Sequence, residues 1–158
     1  MKKIEIKSLT EYFGNFLPVG KIQNRETRLA IVMLYGSLCK ANKDIAEELE
    51  STRKALVGDK EEEIQKYAAL IQKSLDTRLE EKEREKARKE AEKMEDCVKI
   101  DKDFSLAQQR IFNEDMDVQV KKVSLEMLYD ALADCGFPRF GEDCPISVIQ
   151  DAFAQVIE

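Results

Sequence analysis

Residues 25–57 read RETRLAIVMLYGSLCKANKDIAEELESTRKALV and are followed at once by Gly58-Asp59. The stretch holds no Pro, Asn24 stands before it as an N-cap, and Gly past its end is a common helix terminator. Within it Ile31, Tyr35, Leu38, Asn42, Ile45, Leu49, Thr52 and Leu56 follow one another at alternating steps of four and three. That is a heptad seam, the pattern of a helix laid along another helix, with one polar Asn in its middle. At 1.5 Å per residue such a helix runs roughly 50 Å.

Past Gly58-Asp59 the sequence predicts a third helix from about Lys60 to Glu95, carrying Ile64, Ala68, Ile71, Leu75 and Leu79 at the same spacing. So short a connection makes the two helices antiparallel neighbours, and residues 41–80 read as a coiled-coil-like hairpin. The end of that helix, EEKEREKARKEAEKME over Glu80–Glu95, keeps no apolar seam. Its seven acids and six bases nearly cancel, and pairs such as Glu80–Arg84 and Glu85–Lys89 have the favourable i,i+4 order. It reads as a solvated helix that could also fray.

Outside the hairpin the signals are shorter. Ile4 and Ile6 alternate with Lys3, Glu5 and Lys7, a strand pattern, after which Ser8 and Glu11 form a capping box for a helix Leu9–Leu17. Pro18 and Gly20 close that helix. Asp103 can cap a helix Phe104–Phe112, and Met116, Val118 and Val120 alternate as a second strand over 116–121. Ser124 precedes a helix Leu125–Cys135 that Gly136 stops, and Cys144-Pro145 opens a last helix Ile146–Ile157. Two lone strands satisfy their backbones most economically by pairing with each other. The expected fold is therefore mostly α with a minimal two-stranded sheet. Residues 1–40 and 97–158 form a helical head, and residues 41–96 project from it as an arm.

Composition narrows the chemistry. The 158 residues carry 32 acids against 26 bases, a net charge of −6, with bases interleaved among acids. That disfavours binding by phosphate neutralisation. There is no His, which removes Ser-His-Asp, Cys-His and His-metal sites together. No Walker or dinucleotide-binding glycine loop occurs. Asp101-Lys102-Asp103 and Glu114-Asp115-Met116-Asp117 are acid-rich, yet an EF-hand begun at Asp101 places Leu106 at its glycine position and Phe112 at its bidentate glutamate. Helix caps and turns account for those acids, and Lys121-Lys122 reads as a solvated pair.

Cys39, Cys97, Cys135 and Cys144 lack C-x-x-C spacing and read as reduced thiols. A Cys135–Cys144 disulfide is the alternative, and a zinc site of cysteines alone ranks below it. The start, Met1-Lys2-Lys3-Ile4-Glu5-Ile6-Lys7, has no export-signal core. The longest apolar run, Leu29–Tyr35, holds seven residues and cannot span a bilayer. A cytoplasmic location follows as the expectation, with no cofactor and no metal.

The order of elements resembles a family of helical proteins encoded by bacteriophages and prophages. The likeness rests on IEIKSLTEYFGNFL, on RETRLAIVMLYGSL, on the charged helical middle and on DMDVQVKKVSLEML; residues 136–157 lie beyond it. It implies a phage-related accessory or assembly protein and brings no catalytic residue.

The expected function is thus protein–protein interaction or assembly. Its candidate partner-binding residues are Ile31, Tyr35, Leu38, Asn42, Ile45, Leu49, Leu56, Ile64, Ile71, Leu75 and Leu79. Asn42 either faces solvent or sets register and partner number. Two hairpins pairing as a four-helix bundle would make a homodimer. The alternatives are a nucleic-acid-associated regulator and an enzyme of carboxylates and metal.

Overall fold

The computed structural model describes residues 1–136 and 153–158, and among these it is mostly helical. The helices are α1 (Lys3–Phe16), α2 (Arg25–Val57), α3 (Glu61–Leu75), α4 (Glu81–Glu92), α5 (Glu95–Asn113) and α6 (Leu125–Asp134). They divide between two compact units. Unit 1 comprises Met1–Ala46 with Phe112–Glu158, and unit 2 comprises Glu47–Ile111. Residues 97–111, expected in the head, belong to unit 2, and both α2 and α5 run from one unit into the other.

Unit 1 is built on α1, which corrects the first predicted strand. Residues 3–7 are helical because Ile6, Leu9, Phe13 and Leu17 lie on one helical face and are all buried. An apolar face of four residues outweighs an alternation of two isoleucines. Ser8 is consequently an exposed interior position rather than a cap. The cap falls at Lys2, whose backbone N–H donates to the Glu5 carboxylate at 2.7 Å.

The predicted two-stranded sheet does not form. Residues 116–121 belong to no strand, since α1 has taken the partner they would have had, and the Val120 N–H instead closes a tight turn on the Val118 carbonyl at 3.0 Å. What remains is an isolated antiparallel bridge between Lys2 and Asp115 and a parallel one between Val123 and Ile157. The Lys3 ammonium, buried in this unit, pairs with Glu114 at 2.9 Å.

Helix α2 begins as its sequence predicts, with the Asn24 side chain accepting from the backbone N–H groups of Glu26 and Thr27. Its core line is Ile31, Leu34, Leu38, Ala41 and Ile45, all buried. Phe13 lies near Tyr35 and Phe153, with ring centroids 6.5 and 6.1 Å away. Ser124 caps α6 through Met127 N–H at 3.2 Å, and α6 buries Leu128, Ala131 and Leu132. Gly136 then takes φ +91, the left-handed conformation that glycine adopts most readily. Of the predicted last helix, 146–152 lie outside the described residues. Residues 153–156 form a turn that buries Phe153 and Val156.

In unit 2, Gly58 at φ +57 ends α2, and Arg53 bridges the turn to Glu61 at 2.9 Å. The long third helix of the sequence reading is broken. Asp76 leaves the helix in an extended conformation, and its carboxylate accepts from the Arg78 backbone N–H at 3.0 Å and from the guanidinium at 2.9 and 2.8 Å. This local closure offers the backbone an alternative to the helix ladder. Five residues later α4 starts and returns along α3, so the charged run is not a solitary solvated helix. It buries Ala87 and Ala91 against its neighbour, small side chains that permit close approach. Helix α5 starts at Glu95 and not at Phe104, and Asp103 is interior to it. Lys60 pairs with Asp96 at its first turn. Tyr67, Ala91 and Cys97 form the local core, joined by Ile64, Leu70, Ile71 and Met94.

Candidate functional site

An apolar concavity in unit 2 lies along α3. Ile64, Tyr67, Ala68, Ile71, Gln72 and Leu75 line it from α3 at helical spacing, over about 16 Å of helix. Arg53 and Val57 at the end of α2 contribute to its lining, as do Ile100, Asp101 and Phe104 of α5. The groove holds about 510 Å³ and is open to solvent. Tyr67 is nearly buried, while Leu75 is 72% exposed.

Its polar groups are few. Arg53 is held by Glu61, whose carboxylate the guanidinium pulls below the ordinary range. Burial raises the Tyr67 hydroxyl, and the negative charge of Asp101 raises it further. The nearby Cys97 thiol is also pushed up by burial, which keeps it a protonated, unreactive core group. None of these is an activated nucleophile or a base with a neighbouring acceptor. What the groove offers is apolar area with one exposed carboxylate.

The seam residues are not brought together as one surface. Ile31, Leu38 and Ile45 are buried in unit 1, with Tyr35 and Asn42 half-buried beside them. Leu49 and Leu56 are half-buried in unit 2. Ile64, Ile71 and Leu75 line the groove, and Leu79 lies half-buried in the α3–α4 connection. The sequence reading already divides this helix between head and arm at residue 40, and in the structure α2 passes from one unit to the other at Ala46–Glu47. The α5 side of the groove escaped the sequence reading. Cys97, Ile100, Phe104, Ala107 and Ile111 repeat at steps of three and four, a signal available had the helix been started at Glu95.

Two surfaces complete the picture. On α2, Leu29, Val32 and Met33 form an exposed apolar ridge at i, i+3 and i+4, with exposures of 59, 44 and 45%. Gly36 lies on the same face one turn further on, and a Cβ there would meet nothing within 4 Å. On α4 and at the C-cap just past it, Lys82, Lys86, Lys89 and Lys93 share one exposed face at steps of four and three. With Glu85 and Glu90 they surround a shallow hollow of about 370 Å³.

Cys39, Cys97 and Cys135 carry free thiols, and the Cys135 Sγ lies 3.7 Å from the Pro18 carbonyl oxygen to which it donates. Cys144, the other half of the alternative disulfide, is outside the described residues. Among the described residues no group of three or more Cys, Asp or Glu is placed to hold a metal ion. No helix among them is long and apolar enough to cross a membrane. No family model, curated protein or solved structure matches the chain.

Proposed function

We propose that this chain is a non-enzymatic assembly protein that receives an amphipathic helix of another protein molecule in the α3–α5 groove. The observation that carries the reading is the groove itself, apolar along three turns of α3 and open to solvent. A helix presenting apolar anchors at i, i+3 or i+4, and i+7 is the ligand such a surface suits. The absence of His from the chain and the protonated, buried state of Cys97 support a binding role over a catalytic one. A phage-related accessory protein, the class implied by the sequence resemblance, is consistent with it.

The test is site-specific photocrosslinking in the source cell from Gln72, exposed within the groove, and from Glu90, exposed on α4. A discrete crosslinked protein is expected from Gln72, lost on Ala68→Glu and absent from Glu90. Equal capture from both positions would refute the groove as the binding site.

A second reading, association with nucleic acid, draws on the four-lysine face of α4. Contacts from four lysines give a log–log salt slope of about −3 for single-stranded DNA. Anisotropy of a labelled oligonucleotide across salt concentrations reads that slope. Binding that ignores Lys86→Glu combined with Lys89→Glu would remove this reading.

A further inference from the structure

Residues 117–121, Asp-Val-Gln-Val-Lys, carry a strand pattern whose expected partner in this chain has become part of helix α1. The segment is tied at both ends. Before it the Met116 N–H donates to the Met1 carbonyl at 2.9 Å. After it the Val123 N–H donates to the Val156 carbonyl and the Glu158 N–H to the Val123 carbonyl, both at 3.0 Å. Between these ties the Val120 N–H and the Val118 carbonyl close on each other. Among the described residues, none bonds the backbone N–H or C=O groups of Asp117, Gln119 or Lys121. Those three residues are exposed, while Val118 and Val120 are half-buried. A free backbone row interleaved with β-branched residues is a template for another strand.

We propose that a second copy of this chain pairs with the first along residues 117–121, antiparallel and centred on Gln119. The segment is complementary to itself in that register. Asp117 of each copy stands opposite Lys121 of the other, and Val118 opposite Val120, the cross-strand pairs that stabilise a sheet. Alternate residues of a paired strand turn their N–H and C=O groups to opposite edges. Pairing about Gln119 therefore uses the groups of residues 117, 119 and 121, which are free, and not those of Val118 and Val120. Lys121 lines a hollow with Glu26 and Glu158, yet neither it nor Asp117 has an ion pair among the described residues. Parallel pairing in register would set Asp on Asp and Lys on Lys. An antiparallel centre moved to Val118 draws on residues 114–116, already tied to Met1–Lys3, and one moved to Val120 sets Lys122 against Val118. The contact is isologous and closes at the dimer. Five residues a side make a small interface, so the dimer is weak and concentration-dependent. It makes no use of the α3–α5 groove and stands apart from the function proposed above.

Sedimentation velocity of the full-length protein over rising concentration tests this, with Asp117→Lys and Lys121→Asp as variants. Both positions are exposed, so neither change enters a core. The wild type is expected to form a dimer and nothing larger. Each variant alone sets like charges opposite each other on both sides, and its dimer should weaken roughly ten-fold or more. An equimolar mixture of the two sets two acids against two bases and should dimerise again, as should the double variant, whose pairs are reversed. That recovery also shows the single variants to be folded. Amide exchange at Asp117, Gln119 and Lys121 should slow as the wild type passes from monomer to dimer. Single variants that dimerise as the wild type does, a mixture that stays monomeric, or growth beyond dimer would overturn the proposal. A wild type that stays monomeric at every concentration would overturn it too, and would leave the free edge to an extended peptide of another protein.

Discussion

Ala91 is 1% exposed and meets Tyr67 and Cys97 where α4 lies on α3. In sequence it is one of three apolar residues in a run of charges, and composition alone reads that run as fully solvated. A methyl group is enough to anchor a helix when the two backbones approach closely, and no hydropathy pattern announces it. Ala91→Leu would force extra methylenes into a packed site, at a cost of about 1–3 kcal/mol. The urea midpoint should fall while the slope of the transition holds; a variant as stable as the wild type would mean α4 does not pack there. Caps were the residues most legible in advance. Asn24 and Ser124 accept the hydrogen bonds their sequence context predicts, because a cap depends on neighbours within three positions. Ser8 had the same local signature and failed, because the helix had already begun five residues earlier to bury Ile6.

At the level of elements, α2 matched its predicted bounds, Arg25 to Val57, because Asn24, Gly58 and the absence of Pro define both ends locally. The break between α3 and α4 was not legible as a hydropathy change, since Leu75 and Leu79 continue the seam spacing through it. It comes from Asp76, which trades helix for a closed loop with Arg78. The Arg78 guanidinium and the backbone N–H together hold the Asp76 carboxylate below its ordinary range. A carboxylate so lowered contributes stability above its unfolded value, about 4. That contribution is lost as pH falls through the folded value. Asn is the neutral counterpart of the protonated acid. The melting temperature of Asp76→Asn should therefore lie below that of the wild type at pH 7, and the gap should close on acidification below about pH 4. A gap constant with pH would place the effect elsewhere, since Glu61 and Asp96 titrate alike in both proteins.

Across the molecule, burial is uneven in a way that predicts where it opens. Unit 1 buries large aliphatic side chains along α2, with Ile31, Leu34 and Leu38 all at 0% exposure, and buries Phe13 and Leu128 from α1 and α6 as well. In α4 only Ala87 and Ala91 are buried, and its remaining residues are mainly charged side chains in water. Local opening free energy follows the apolar contact a segment must give up, so α4 should detach well before unit 1 unfolds. Cys97 reports this directly, since it is buried in the cluster that includes Ala91, whereas Cys39 is half-buried on α2 in unit 1. Thiol labelling followed by mass spectrometry should show Cys97 reacting through an opening event whose rate rises several-fold in Ala91→Gly. Global unfolding of unit 1, read by amide exchange over residues 31–45, should stay far slower. The Gly substitution removes the buried methyl and loosens the helix by about 1 kcal/mol, which corresponds to roughly a five-fold larger open population. Equal protection of Cys97 and the α2 amides, moving together in the variant, would mean that the two units open as one cooperative block despite the thin packing of α4.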